Sequence, residues 1–395
     1  MQLFLFIVAL ALFTGLVLVH EWGHFIVARR NGVDVEEFGL GFPPRAWSRK
    51  LKSGMHLSLN WLPIGGFVKL KGEHDGDKTK GSFGAATLGV KTKILLAGVT
   101  MNLIVAFLML TALAVIGLPK LITTDQFGVD QFSVKSDTKI SKQEVLVIYI
   151  EPNSPAKKIG LSGLDQIISI SNGQKTIKIA QPEDLKNATT GFAGQKVTVT
   201  FAHDGNQVTK TVQLRSKAEV APSLNTDNPK GYLGVEPYGL EFVRSTWSAP
   251  IVAAGFTWQL TKLTFVGLGH ALAGLGSLIA GFASHNTVAR QAGQTEATSQ
   301  VGGPVAIFKI LWGTGSIGYQ YMLAIIALIS LTLAIFNVLP IPALDGGRLF
   351  MILFSRLVLK RPLSRSAEEK AVATGMAVLL SLMVVITVVD VRRFL

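Results

Sequence analysis

His20-Glu21-Trp22-Gly23-His24 closes an apolar run that begins at Met1 and carries no charged side chain before it. On a helix, residues four apart stand one above the other on the same face, so His20 and His24 form one imidazole pair. Two imidazoles so placed can hold one zinc ion, and a glutamate beside the first stands close enough to act as a general base toward water. Ionisable side chains at membrane depth are costly and usually functional. The plainer alternative is a helix end whose His and Glu side chains reach up to wet headgroups.

Outward from this stretch the chain reads as a membrane protein with a soluble part. It has 395 residues, 49% hydrophobic and 16% charged, which is too apolar for an ordinary soluble domain. With no cysteine, disulfide frameworks and cysteine metal sites are excluded. Residues 1–30 form the first expected span. The run is longer than a signal peptide's and lacks a basic leader or a small-residue cleavage site. Arg29 and Arg30 follow directly, so the positive-inside rule places the N-terminus outside and His20 to His24 in the cytoplasmic half of the bilayer.

Residues 29–93 carry twelve Lys/Arg, and 348–370 carry six more. The formal charge of +13 is therefore largely a topology signal, and nucleic acid is not an expected partner. Within the first basic loop, 55–71 alternates apolar and polar residues around Pro63 and Gly65-Gly66, a hairpin pattern whose apolar side can dip into the membrane beside the metal site. Residues 94–118 form a second span, with Gly98 small enough for close helix packing and Asn102 in need of a partner. The region 119–239 is soluble in character. Strands are expected at 144–150, 166–171, 196–202 and 207–214, turns at Asn172-Gly173 and Asp204-Gly205, and a helix from Pro182. The next stretch, 247–282, is apolar but interleaved with Thr, Gln and Lys, which suits a helix lying on the membrane. A polar loop is expected at 284–300. Residues 319–345 and 371–390 read as the last two spans.

Two histidines do not complete a catalytic zinc site, which usually has three protein ligands. Asp345 is the best third ligand: it stands among Pro and Gly residues at the cytoplasmic end of a span, where Gly346-Gly347 allow a tight turn. Meeting the two histidines requires the 319–345 span to run from outside to inside. Counting 247–282 as one more span would reverse it, and a second extra crossing at 303–316 would be short and carry Lys309, so four spans are expected, with 247–282 on the outer surface.

These residues carry a resemblance. His-Glu-Trp-Gly-His and Asn337-Val-Leu-Pro-Ile-Pro-Ala-Leu-Asp345-Gly-Gly resemble the paired motifs of the bacterial site-2 proteases, intramembrane zinc metalloproteases of peptidase family M50 and of the regulator-of-sigma-E protease type. Gly65-Gly66-Phe67-Val68 resembles their membrane-reentrant hairpin, Gly98-x-x-x-Asn102 their second-span motif, and Gly302-Gly303-Pro304-Val305 the approach to their third span. Ser154-Pro155-Ala156 with Gly160-Leu161 resembles the start of a PDZ domain, of which this chain has room for one where many members have two. Leu164-Asp165 replaces the usual Gly-Asp, and Val99 stands where the family often has Pro.

The resemblance implies a multi-pass α-helical membrane protein with a membrane-reentrant β-hairpin and an extracytoplasmic α+β PDZ-like domain. Its parts would be a first membrane part at 1–118, the PDZ-like domain at 119–239, a membrane-surface helical linker at 240–318 and a second membrane part at 319–395. It implies one zinc ion per chain on His20, His24 and Asp345, with Glu21 as general base. Asn337, Gly65, Gly66, Phe67 and Asn102 would hold substrate. The implied substrates are single-pass transmembrane proteins, such as anti-sigma factors or remnant signal peptides, first cut outside by another protease. The implied location is the bacterial inner membrane, with both termini and the PDZ-like domain outside. An extended substrate segment can pair with the hairpin edge. Two other classes compete. A non-catalytic PDZ-bearing scaffold would have no use for Glu21. A zinc transporter would need acidic or His-rich pathways, and His56, His74, His203, His270 and His285 lie outside the expected spans.

Overall fold

The computed structural model describes residues 2–203, 205–226, 229–283 and 304–394. The expected loop at 284–300, Asp204 of the expected turn, His285, and Gly302-Gly303 lie outside the described residues. The chain divides into two compact units. One comprises Met1–Ala9, Leu110–Phe256 and Lys309–Ile325; the other comprises Leu10–Met109, Thr257–Phe308 and Ile326–Leu395.

The second unit carries the expected membrane elements. Helix α1 (Gln2–Arg30) carries no charged side chain in its first five turns, and a helical ladder satisfies its backbone groups without water. It stops at Gly32, whose φ of 75° allows the Val33 N–H to reach back to the Ala28 carbonyl at 3.0 Å. Strands β1 (Val35–Lys50) and β2 (His56–Leu70) follow. Their register is double. Leu40 pairs with Gly66 on one side and Leu59 on the other, while Lys50 pairs with His56 and Arg45 with Asn60. The two long strands thus fold into four runs in the order 66–70, 35–40, 56–60, 45–50, in which 35–40 is antiparallel to 66–70 and parallel to 56–60, and 45–50 is antiparallel to 56–60. The hairpin expected at 55–71 is corrected accordingly: both halves of that segment pair with Val35–Lys50, not with each other. The partner was hidden because Glu36-Glu37 and Pro43-Pro44 break its alternation. Phe38 anchors the sheet on α1, 6.3 Å from Trp22 and 5.9 Å from Phe25 between ring centres.

Helix α2 (Leu88–Ile116) crosses α1 at Gly23, where a Cβ would stand 2.7 Å from the Ala97 carbonyl oxygen. Below that crossing Asp75 and Lys91 are buried together, and the Arg356 Nε donates to Asp75 at 2.8 Å. Burial alone would raise the Asp75 carboxyl, but hydrogen bonds from Arg356 and Lys91 hold it below its ordinary value.

The first unit holds a seven-stranded antiparallel sheet. After β3 (Leu118–Pro119) and a helical turn, α3 (Thr124–Phe127), come β4 (Lys139–Ile150), α4 (Pro155–Lys158), β5 (Gln166–Ser171) and β6 (Thr176–Lys178). Then follow α5 (Pro182–Gly191), β7 (Lys196–His203), β8 (Asn206–Gln213), α6 (Lys217–Val220) and β9 (Val235–Arg244). The strand order is β3-β9-β4-β5-β7-β8, with β6 on β5. Val145, Val147, Ile167, Ile170, Val199 and Phe201 form its core with Leu185 and Ala188 of α5. The Asp184 carboxylate accepts the Gln181 N–H at 2.9 Å and so starts α5 where Pro182 predicted a helix. Strand β9 was not expected, because Pro237 and Gly239 interrupt its pattern. Ser154 caps α4, accepting from the Lys157 N–H at 3.2 Å. Leu164 takes a φ of 72°, a conformation that favours glycine; its Cδ1 lies 2.7 Å from where a Cβ on Gly313 would stand.

After β9 come α7 (Ala249–Ala283), α8 (Pro304–Ile317), α9 (Tyr319–Val338), α10 (Asp345–Leu357) and α11 (Arg365–Phe394). Five described helices are long and apolar enough to cross a membrane: α1, α2, α7, α9 and α11. Helix α7 is the least apolar, with a mean hydropathy of 1.2 where the others reach 2.3 to 2.6. The span expected at 319–345 ends earlier than its sequence suggested. Helix α9 stops at Val338, where Pro340 and Pro342 cannot continue it, and Asp345 opens a new helix.

Candidate metal centre

Three donor atoms converge within the second unit. The Asp345 Oδ2 lies 3.1 Å from His20 Nε2 and 3.2 Å from His24 Nε2, and the two imidazole nitrogens are 3.2 Å apart. Ligands bonded at about 2.0–2.1 Å to one tetrahedral zinc stand about 3.3 Å from each other, so the residues present fit the ion in type and spacing. Among the described residues this is the one group of three such donors.

Local structure explains the convergence. His20 and His24 project from one face of α1. Gly98 on α2 faces both rings, and a Cβ there would lie 2.5 Å from His24 Nε2 and 2.6 Å from His20 Nε2. The glycine that sequence reading gave to helix packing therefore makes room for the donor atoms themselves. His24 donates from Nδ1 to the Ile94 carbonyl at 2.7 Å, which leaves the Nε2 lone pair for a metal. Asp345 is aimed by the turn before it: a Cβ on Gly346 would stand 2.1 Å from the Val338 carbonyl oxygen, and one on Gly347 1.9 Å from that of Ile341. Only two glycines let α10 start this close to the end of α9. Arg348, three residues on, donates to the Glu73 carbonyl and stacks 5.0 Å above the Phe83 ring, which braces the start of α10.

The centre opens into a cavity of about 390 Å³. Glu21, Gly65, Gly66, Phe67, Asn102 and Asn337 all line it, so every residue named from the sequence for this site borders the same space. Gly66 lies beside Glu21: a Cβ there would be 3.3 Å from the Glu21 Cγ. Run 66–70 is an edge of its sheet, paired with 35–40 on one side only among the described residues. Asn337 donates to the Leu333 carbonyl of its own helix at 3.0 Å. Asn102 meets a histidine: its amide lies 3.3 Å from His20 Nδ1. A second cavity, about 500 Å³, shares Asp345 and Arg348 with the first and is rimmed by Glu73, His74, Glu368 and Glu369. Sequence reading missed Gly98 as a space-maker, the Ile94 carbonyl and Arg348; only the Gly98-x-x-x-Asn102 motif hinted at the first.

The pattern of peptidase family M50 matches residues 8–382. A protein of Clostridium perfringens that carries the name of a zinc metalloprotease is 29% identical over 389 residues, covering 98% of each chain. A similarly named protein of Campylobacter jejuni is 29% identical over 400 residues, covering 99% of this chain and 94% of that one. The regulator of sigma-E protease of Escherichia coli K12 is 26% identical over 463 residues, covering 96% and 95%. The chain belongs to peptidase family M50, and it is a membrane metalloendopeptidase.

Proposed function

We propose that this M50 metalloendopeptidase hydrolyses peptide bonds within the transmembrane segments of single-pass membrane proteins. One observation carries the reading: the three-donor cluster, Glu21 and an unpaired strand edge border one cavity, and the cluster rises from a helix apolar enough to span a membrane. In this reading His20, His24 and Asp345 hold one zinc ion. Zinc held there supplies a Lewis acid that activates water near neutral pH and polarises a carbonyl. Glu21 takes the proton of the attacking water and gives it to the leaving amine. A substrate helix hides its peptide bonds in its own hydrogen bonds, so a segment must unwind before it is cut. The outer edge of 66–70 offers the unwound segment a strand to pair with, and Asn337 holds its backbone. The second cavity gives water a route to Asp345.

The same reading has four spans, with α7 on the outer surface, in keeping with its lower hydropathy. The seven-stranded sheet is a PDZ-like extracytoplasmic domain that docks or size-filters substrates already cut outside, as in regulated intramembrane proteolysis of anti-sigma factors or remnant signal peptides. The active site faces the cytoplasmic side. The test is cleavage of a helical transmembrane reporter in liposomes by the wild type and Glu21→Gln, with bound zinc measured in both. The expected result is a cut inside the apolar segment by the wild type only, with zinc kept by both. Zinc in both and no cut in any of several reporters would instead favour a peptide-binding scaffold.

A further inference from the structure

The two histidines are held by different means. His24 leans on a backbone carbonyl, which can only accept and therefore fixes the proton on Nδ1. His20 leans on a side chain. Its Nδ1 stands 3.3 Å from the amide nitrogen of Asn102, while the other end of that amide, Oδ1, is buried with no partner. Asn102 itself is fully buried in α2, and its carbonyl accepts from Ser330 on α9 at 2.9 Å, so the residue cannot drift away.

We infer that Asn102 is a positioning residue that sets the tautomer of His20, its carboxamide turned so that Oδ1 accepts the His20 Nδ1–H. This rests on the metal reading above. If Nε2 is to give its lone pair to zinc, the ring proton is on Nδ1, and an amide N–H facing it would set donor against donor. The two ends of a carboxamide have the same shape, so turning it needs no repacking. The turn converts a buried orphan acceptor into the partner that the ligating tautomer requires. Asn102 thereby leaves the set of substrate-binding residues named from the sequence and joins the support of the metal.

The experiment measures zinc affinity by chelator competition in the detergent-solubilised full chain, wild type against Asn102→Asp and Asn102→Leu. Aspartate keeps the shape and can only accept; leucine keeps the volume and does neither. The expected result is wild-type or tighter zinc binding in Asn102→Asp and about 10–100-fold weaker binding in Asn102→Leu, with reporter cleavage by Asn102→Leu restored at saturating zinc. Zinc binding by Asn102→Leu equal to wild type overturns the inference, as does an equal loss in both variants. Failure of the wild type to bind zinc would instead sink the metal reading on which it rests. Circular dichroism on each variant separates loss of the site from loss of fold.

Discussion

The metal centre and the turn at Asn172-Gly173 in the sheet unit both depend on glycine, for opposite reasons. Gly98, Gly346 and Gly347 have helical backbone that any residue adopts; what they lack is room, with a Cβ falling 1.9 to 2.5 Å from a neighbour. Gly173 in the sheet unit has nothing within 4 Å of a Cβ, yet its φ is 88°. The donor cluster needs its glycines for close approach, and the Asn172-Gly173 turn needs its glycine for conformation. Two ion pairs make a similar contrast. Lys91 and Asp75 are each 2% exposed, whereas the Arg215–Glu151 pair of the sheet unit is 13% and 24% exposed. The metal centre is built by excluding volume and water.

The sharpest way to break this contrast is Gly98→Ala. The added methyl occupies the space of both Nε2 atoms, so zinc affinity should fall by more than about 100-fold and cleavage with it, while the helix content is unchanged. Retained zinc in a folded Gly98→Ala protein would mean that the imidazoles have another place to go.

Next in size is Lys91→Met. It leaves a buried carboxylate with one cation fewer, and removal of one partner of such a pair costs about 3–5 kcal/mol, read as a fall in the denaturation midpoint. The sign with pH follows from the depressed Asp75 value. Its contribution is present in full above the unfolded carboxyl's ordinary value and is lost as pH falls below it. The wild-type midpoint should therefore drop on acidification below about pH 4 more than that of Asp75→Asn. Equal acid sensitivity in the two would place the titrating group elsewhere.

The smallest effect is expected of Gly173→Ala: about 1–2 kcal/mol from the sheet unit, seen in its thermal transition, with zinc content and affinity untouched. A zinc change in that variant would show that the two kinds of glycine do not act separately.

Much of the site was legible because its signals are local. The strand at 166–171 and the helix from Pro182 formed where alternation, turn residues and a capping carboxylate placed them. Strand β9 was missed where Pro237 and Gly239 conceal the pattern, and the hairpin at 55–71 was misread because its partner lies outside the window that alternates. Leu164 shows the limit from another side. Its departure from the usual glycine was visible in sequence. That the residue nevertheless takes φ 72°, and that its side chain seats against Gly313, was not.

The sequence by itself determined that the chain is a membrane protein and that His20 and His24 share a helix face with Glu21 beside the first, because helix period and apolar length are properties of consecutive residues. It also marked Asp345 as the best third ligand. Tertiary structure alone decided that Asp345 reaches His20 across 325 residues, that run 66–70 is the edge of its sheet beside Glu21, and that Gly98 is the space in which the donors meet. Those facts depend on which surfaces pack together, and contacts so far apart in the chain leave no periodic trace in it.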